Sequence, residues 1–210
     1  KLPLAKVENL RPTPDRVHET LFNWLGQDLS GWHCIDAFAG TGALGFEAAS
    51  RGAAAVVLCE SNSACVEAMA KSQAKLGATQ MRIQRGDGLA LLRQSVPNSL
   101  DLILLDPPYD FPQYDKMLAA AQTCIKPSGW VYLEAGKAWT EAELLALGWA
   151  LKRHLKAGAV HAHLLQRAAQ CPAPPCTRTV HEPRDRAVPR HLRPHHLGAR
   201  RHRSPCRRHV

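Results

Sequence analysis

Asp106-Pro107-Pro108-Tyr109 follows the apolar run Leu100–Leu105 and sets four unusual groups side by side. An exocyclic amine on a nucleic-acid base is a poor nucleophile, because its lone pair is delocalised into the ring. Two acceptors, the Asp106 carboxylate and the Pro107 carbonyl, can hold the amine's two hydrogens and aim its lone pair for in-line attack on a methyl carbon. Pro107 and Pro108 fix the backbone without spending donors. Tyr109 offers a ring on which a flipped-out base can stack. Stripped of chemistry, the same residues would make a Pro-Pro turn with a capping Asp.

A second constellation is Asp36-Ala-Phe-Ala-Gly40-Thr-Gly42-Ala-Leu-Gly45. Gly40 and Gly42 permit a tight turn and close approach of backbone to a ligand, and Gly45 permits close packing of helix on sheet. Read literally, Gly40–Gly45 is also the glycine pattern of a dinucleotide site, and Glu60 lies 18 residues after Gly42, where ribose hydroxyls are bound. This stretch alone therefore leaves NAD and S-adenosylmethionine both open. Asp36 tilts the choice: a carboxylate beneath the loop attracts an amino-acid ammonium and repels a pyrophosphate. Asp87, in Gly86-Asp87-Gly88, is placed either to accept from an adenine amino group or to serve as an ordinary cap.

These residues need a scaffold, and the hydropathy pattern supplies one. Thr13 reads as an N-cap, with Pro14 at the first helical position and an apolar stripe of Val17, Leu21, Phe22, Trp24 and Leu25, which predicts a helix over 14–25. Strands are expected at His33–Ala39, Ala54–Glu60, Met81–Gln84, Leu100–Leu105 and Trp130–Ala135. Helices are expected between them at Ala43–Arg51, Asn62–Leu76, Leu89–Gln94 and about 113–125, with another at Glu141–Leu147. Trp149–Lys156 and Val160–Arg167 flank Ala157-Gly158-Ala159 and read as a closing antiparallel hairpin. Nearly continuous apolar strands alternating with helices mean an α/β fold with a parallel sheet covered on both faces. Ligands then lie at the C-terminal ends of the strands, near the switch point beside the first strand.

Charge divides the chain sharply. The 210 residues carry a formal charge of +9, but residues 1–169 hold 17 Lys+Arg and 16 Asp+Glu, while residues 170–210 hold 10 Arg, no Lys, one Asp and one Glu. The latter segment also lacks Ile, Phe, Tyr, Trp and Met, so it is read as disordered. It is either an arginine-rich arm that grips phosphates or the product of a GC-rich gene read out of frame. Cys171 and Cys176 match no standard zinc spacing, and no metal is expected. Cys34, Cys59, Cys65 and Cys124 read as buried reduced thiols. No run of about 18 apolar residues predicts a membrane span, and no apolar leader marks the chain for secretion, so a cytoplasmic location is expected.

With those residues in place, the chain from about Lys1 to Arg167 resembles the RsmD-type bacterial 16S rRNA guanine-N2 methyltransferases. The resemblance rests on Leu10-Arg-Pro-Thr-Pro-Asp-Arg-Val-His-Glu-Thr-Leu-Phe-Asn-Trp24, on Asp36–Gly45 and on Asp106–Tyr109. It implies a Rossmann-like class I methyltransferase fold with a mostly parallel seven-stranded sheet. The implied organisation is a lead-in and helix at 1–32, the methyltransferase domain at 33–169 and a tail at 170–210. The implied activity is transfer of a methyl group from S-adenosylmethionine to N2 of guanine 966 in 16S rRNA, presented within the small ribosomal subunit to a monomeric enzyme. Carried over by position, Asp36, Phe38, Gly40, Gly42, Glu60 and Asp87 would bind the cofactor. Asp106, Pro107, Pro108 and Tyr109 would hold the target base. Arg11, Thr13, Arg16 and Glu19 would organise substrate and active site. His18 stands where the family usually carries Arg. The alternatives are an adenine-N6 methyltransferase, an NAD(P)-dependent oxidoreductase and a non-enzymatic RNA-binding protein working through its arginine tail.

Overall fold

The protein is described here by a computed structural model covering residues 15–169. The chain runs α1 (Asp15–Leu25), β1 (His33–Asp36), α2 (Ala43–Ser50), β2 (Ala55–Glu60), α3 (Ser63–Leu76), β3 (Met81–Arg85), α4 (Gly88–Gln94), β4 (Leu100–Leu105), α5 (Tyr114–Cys124), β5 (Ile125–Ala135), α6 (Glu141–Ala146), β6 (Trp149–Ala157) and β7 (Val160–Arg167). The seven strands form one sheet in the order β3-β2-β1-β4-β5-β7-β6. The first five are mutually parallel, and β7 pairs antiparallel with both β5 and β6. This is the Rossmann-like arrangement that the resemblance implies, with the parallel part that the strand and helix alternation predicts. Strand order reverses between β1 and β4, which makes their C-terminal ends the natural ligand crevice.

Local chemistry explains the boundaries. Asn62 caps α3 by accepting from Ala64 N at 2.9 Å, and Gly77, at φ 61°, closes it in the left-handed region. Thr140 and Glu143 form a reciprocal capping box on α6. On one face of the sheet, Val17, Leu21, Phe22 and Leu25 of α1 pack with Leu58, Leu102, Leu104 and Tyr132. On the other, Ile103, Leu105, Leu133, Met117, Leu118 and Trp149 form the second core. Each such fully buried side chain contributes about 1.5–3 kcal/mol relative to exposure.

Two boundaries differ from expectation by more than one residue. β1 stops at Asp36, not Ala39, because Ala37–Gly42 bends away to form the glycine loop. β5 begins at Ile125 and not Trp130, its first turn joined to Leu100 across a register shift between Leu100 and Leu102. Lys126 anchors this early segment with hydrogen-bonded ion pairs of 2.7 and 2.8 Å to Asp101. The four cysteines of this region are free and buried, and burial pushes the Cys34 and Cys124 thiols up to about 12 and about 11, so they are inert at neutral pH. Among the described residues, no helix is long and apolar enough to cross a membrane. Residues 170–210, including Cys171 and Cys176, lie outside the described residues.

His163, fully buried on β7, carries a pH-dependent share of stability. Trp139 N–H donates to its Nε2 at 3.1 Å, so Nδ1 must hold the proton and donate to the Leu133 carbonyl at 3.3 Å. Burial, with His154 and His161 close by, pushes its imidazole down to about 4. Protonation is therefore favoured in the unfolded chain, and the His163 contribution, present above about pH 6.5, is lost as pH falls toward 4, to about 3 kcal/mol. Paired thermal melts of wild type and His163→Gln between pH 4 and 7 are expected to converge on acidification. A constant gap between them would contradict this assignment.

Candidate active site

The glycine loop is strung between the ends of β1 and β2. Ala37 N donates to Leu104 O at 3.1 Å and Ala39 N to Cys59 O at 2.9 Å, so the loop keeps sheet-like tethers on both sides. Glu60, at the end of β2, accepts from Gly40 N at 2.7 Å through one oxygen and from Asn62 N at 2.8 Å and the Ser61 hydroxyl at 3.1 Å through the other. A side chain at Gly42 would strain a residue at φ 83° and place its Cβ 2.8 Å from Met69 Sδ and 2.9 Å from the Phe46 ring. Gly45 touches Leu58 with equal closeness, which lets α2 lie directly on the sheet. The sequence expectation for these glycines has a physical basis in these contacts.

Asp36 sits beneath this loop at 1% exposure, with Oδ2 accepting from Gly45 N at 3.1 Å and Oδ1 buried without a hydrogen-bond partner. Burial pushes its carboxyl up to about 7; the Gly45 and Phe38 amides oppose the rise, and Glu60 and Glu134 reinforce it. A buried acid with one unpaired oxygen under a backbone cradle suits a cationic ligand group and does not suit a pyrophosphate. Asp87 lies at the end of β3, exposed, and its Oδ1 caps α4 by accepting from Ala90 N at 2.7 Å. The cap reading of Asp87 is thus realised. Phe38 is half-buried, edge-on to Phe111 at 5.4 Å; the row continues through Tyr114 at 5.6 Å to Trp139 at 5.7 Å.

Across the switch point, Asp106 follows β4 directly. Pro107 is buried, and the turn closes with Phe111 N donating to Pro108 O at 2.9 Å. Tyr109 is 71% exposed, its ring lying against Gly136, where any Cβ would fall 2.8 Å from Cζ. A large aromatic ring resting on Gly136 and otherwise left in solvent can serve as a platform for a flat partner. It borders a cavity of about 350 Å³ lined by Tyr109, Tyr114, Ala135, Gly136 and Lys137.

Glu134 is a member of this site that sequence reasoning missed. Register Leu105↔Leu133 between β4 and β5 puts Asp106 beside Glu134 at the next position. Glu134 is 3% exposed, accepts from the Tyr132 hydroxyl at 2.7 Å, and lies 3.8 Å from His18 Nε2 on α1. Asp36, Asp106 and Glu134 therefore stand at the ends of three neighbouring strands, facing the side that α1 covers. Burial pushes the Asp106 carboxyl well above the ordinary range, and the charges of Glu134 and Asp36 add to the rise. A lone acid closing the apolar run Val131–Leu133 was the available signal for Glu134, but only the strand order shows what it adjoins.

The α1 residues are divided. Arg11 and Thr13 lie outside the described residues, as does the side chain of Arg16, while Glu19 is exposed on α1. His18 is the α1 residue seen to reach the carboxylates. Among the described residues no group of three His, Cys, Asp or Glu is arranged to hold a metal ion.

Comparison with known proteins gives a consistent outcome. A model of the family described as Conserved hypothetical protein 95 matches residues 1–166. The chain is similar to ribosomal RNA small subunit methyltransferase D of Escherichia coli strain K12, at 36% identity over 177 residues, covering 81% of this chain and 86% of that protein. It is similar to the protein of the same name from Haemophilus influenzae, at 34% identity over 172 residues, covering 79% of this chain and 88% of that protein. A solved Escherichia coli structure described as methyltransferase yhhF superposes with a TM-score of 0.67 at 34% identity, covering 78% of this chain and 91% of that one.

Proposed function

Because the chain belongs to the RsmD family of rRNA small-subunit methyltransferases, we propose that it methylates the N2 amine of a guanine, position 966 of 16S rRNA, using S-adenosylmethionine. The reading includes a cytoplasmic, monomeric enzyme acting on the small ribosomal subunit. The observation that carries it is the placement of Asp106-Pro107-Pro108-Tyr109 at the end of β4, opposite the glycine loop and beside an aromatic-rimmed cavity.

The residues fit the cofactor class. Asp36, with an unpartnered buried oxygen, would face its ammonium side, and Gly40 and Gly42 would admit its backbone-hugging portion. Glu60 retains lone-pair capacity for ribose hydroxyls while holding Gly40, and Asp87 and Phe38 would border the adenine. When bound, S-adenosylmethionine supplies an electrophilic methyl group on a sulfonium.

This chain's own residues do the rest. Tyr109 would stack the extruded guanine. The Asp106 carboxylate and Pro107 carbonyl would accept the two N2 hydrogens and turn the lone pair toward the crevice. Receipt of the methyl group would leave positive charge on the nitrogen, which would then have to shed a proton. Asp106, whose proton affinity is raised by its surroundings, is the group placed to take it. A bound cation would pull the raised carboxyls of Asp36 and Asp106 toward their ionised forms, which would then favour both the cationic donor and the developing cationic amine.

The test is incubation with tritiated S-adenosylmethionine and small subunits isolated without the modification. Label is expected in the RNA at up to one methyl group per subunit. Absence of label from RNA would overturn the reading.

A further inference from the structure

We propose that the closing hairpin, β6 and β7, is a phosphate-binding track that leads rRNA from the sheet edge to the target-base cavity. The proposal rests on the methyltransferase reading above and adds to it a second contact surface remote from the base and cofactor sites.

Three observations carry it. The first is charge. Residues 149–167 contain Lys152, Arg153, Lys156 and Arg167 and no Asp or Glu, whereas the rest of residues 1–169 hold 13 Lys+Arg against 16 Asp+Glu. Lys152, Arg153, His154 and Lys156 are exposed on β6. Among the described residues Lys152, Arg153 and Lys156 make no ion pair, as is also true of Lys71, Lys75 and Arg82 on the opposite side of the sheet; what sets the hairpin apart is its lack of any acidic residue. Arg167 is spent on Asn98 and the Gln122 carbonyl and is not part of the track.

The second observation is register. Ala135 lines the cavity and pairs with His161 of β7, which pairs with Lys156 of β6. The row below runs Leu133, His163, His154. Lys156 therefore stands at the same height in the sheet as the cavity wall, two strands or about 10 Å along. β6 runs parallel to β5, since each is antiparallel to β7, so its C-terminal half lies at the catalytic edge of the sheet. Lys156 shares the face of His161 and Ala135, while Arg153, paired with Leu164, stands on the opposite face, so the cations straddle the edge strand.

The third is the surface between these ends. His154 and His161 are stacked at 5.3 Å with an interplanar angle of 5°, joined by a 3.0 Å hydrogen bond between Nε2 and Nδ1. Burial and the neighbouring His154 and Lys156 lower the His161 proton affinity, so His161 offers a flat ring that disfavours charge, with the fixed cation of Lys156 beside it. Flat rings leading from an aromatic-rimmed cavity to cations suit a polyanion whose bases stack while its backbone is neutralised. The competing explanation is edge protection, since lysines and a register shift between Leu151 and Arg153 also discourage strand addition. It makes no claim on RNA, and that separates the two.

The test compares Lys152→Ala/Arg153→Ala/Lys156→Ala with a control, Lys71→Ala/Lys75→Ala/Arg82→Ala, which removes the same charge from exposed positions on α3 and the opposite edge strand β3. Methyl transfer from tritiated S-adenosylmethionine to unmodified small subunits is measured across salt concentrations, with S-adenosylhomocysteine affinity as the check on folding. The hairpin variant is expected to raise KM for subunits by at least about tenfold at physiological salt, with kcat and S-adenosylhomocysteine affinity unchanged. Its dependence of log affinity on log salt should flatten by about two to three. The single Lys156→Ala variant should show a smaller KM rise of about threefold and one unit less slope, which covers the case of a misfolded triple variant. Unchanged KM and slope in the hairpin variants, or an equal loss in the control, would overturn the track. Failure of the wild-type chain to label RNA would instead strike the underlying reading.

Discussion

Asp106→Ala is expected to slow methyl transfer by at least about 10³-fold while leaving S-adenosylhomocysteine affinity within about twofold, because it removes an acceptor for the target amine and none for the cofactor. Asp106→Asn should be nearly as damaging, since it retains the shape and loses the proton acceptor. The electrostatics add a second signature. Burial, Glu134 and Asp36 together raise the Asp106 carboxyl. A raised acid stabilises the fold at low pH and loses that contribution as pH rises through its folded value. Asp106→Asn should therefore raise Tm by a few degrees at pH 8 and leave it unchanged near pH 4. The wild-type rate at saturating substrates should climb with pH along a limb above the usual carboxylate range, as Asp106 ionises. Loss of cofactor binding in Asp106→Ala, or a Tm that falls at pH 8 in Asp106→Asn, would show that Asp106 holds the structure and not the substrate.

Gly88→Ala should be the most damaging single methyl group in the domain. Gly88 opens α4 directly against the loop that carries Phe38. A Cβ there would overlap the Ala37 carbonyl oxygen, lie 2.9 Å from the Ala37 carbonyl carbon and crowd Phe38 Cζ at 3.2 Å. Those first two obstacles are backbone, which has no alternative rotamer, so either α4 or the glycine loop must move. The expected cost is at least about 3 kcal/mol, or a Tm lower by on the order of 10 °C. Residual folded protein should bind S-adenosylhomocysteine at least about tenfold more weakly, because the displaced segment is Ala37–Gly42. Gly77→Ala is the reference: its Cβ meets nothing within 4 Å, and only its φ of 61° is strained, for about 1 kcal/mol. Equal melting temperatures for the two variants would contradict the close approach at Gly88.

Most of the scaffold was legible because hydropathy period and caps agree along the chain. The run Leu-Asp-Leu-Ile-Leu-Leu at β4 and the Asn62 and Gly77 punctuation of α3 point to the elements they form. The hairpin likewise turns at Gly158, with φ 63°. Failures came where tertiary contacts overrule local pattern. Ala37–Ala39 is apolar enough to extend β1, yet Gly40 and Glu60 pull it into the loop. Lys126-Pro127-Ser128-Gly129 has poor strand character, yet it joins β5 because Asp101 fixes Lys126 and Gly129 leaves room for Ile125. In the site, Asp36, Gly40, Gly42 and Asp106–Tyr109 were visible as motifs, since local spacing defines them. Glu134, Tyr114 and Gly136 were not, because each matters only through strand order or through the ring it touches. Asp87 carried two readings in sequence, and the structure shows its capping bond to Ala90 N.

The identity of the methylated nucleoside tests the central claim most directly. Small-subunit RNA labelled by the wild-type chain would be digested to nucleosides and resolved by chromatography and mass spectrometry. The account predicts a single labelled product, N2-methylguanosine, and its loss with Asp106→Ala. N6-methyladenosine, or label confined to protein, would contradict it.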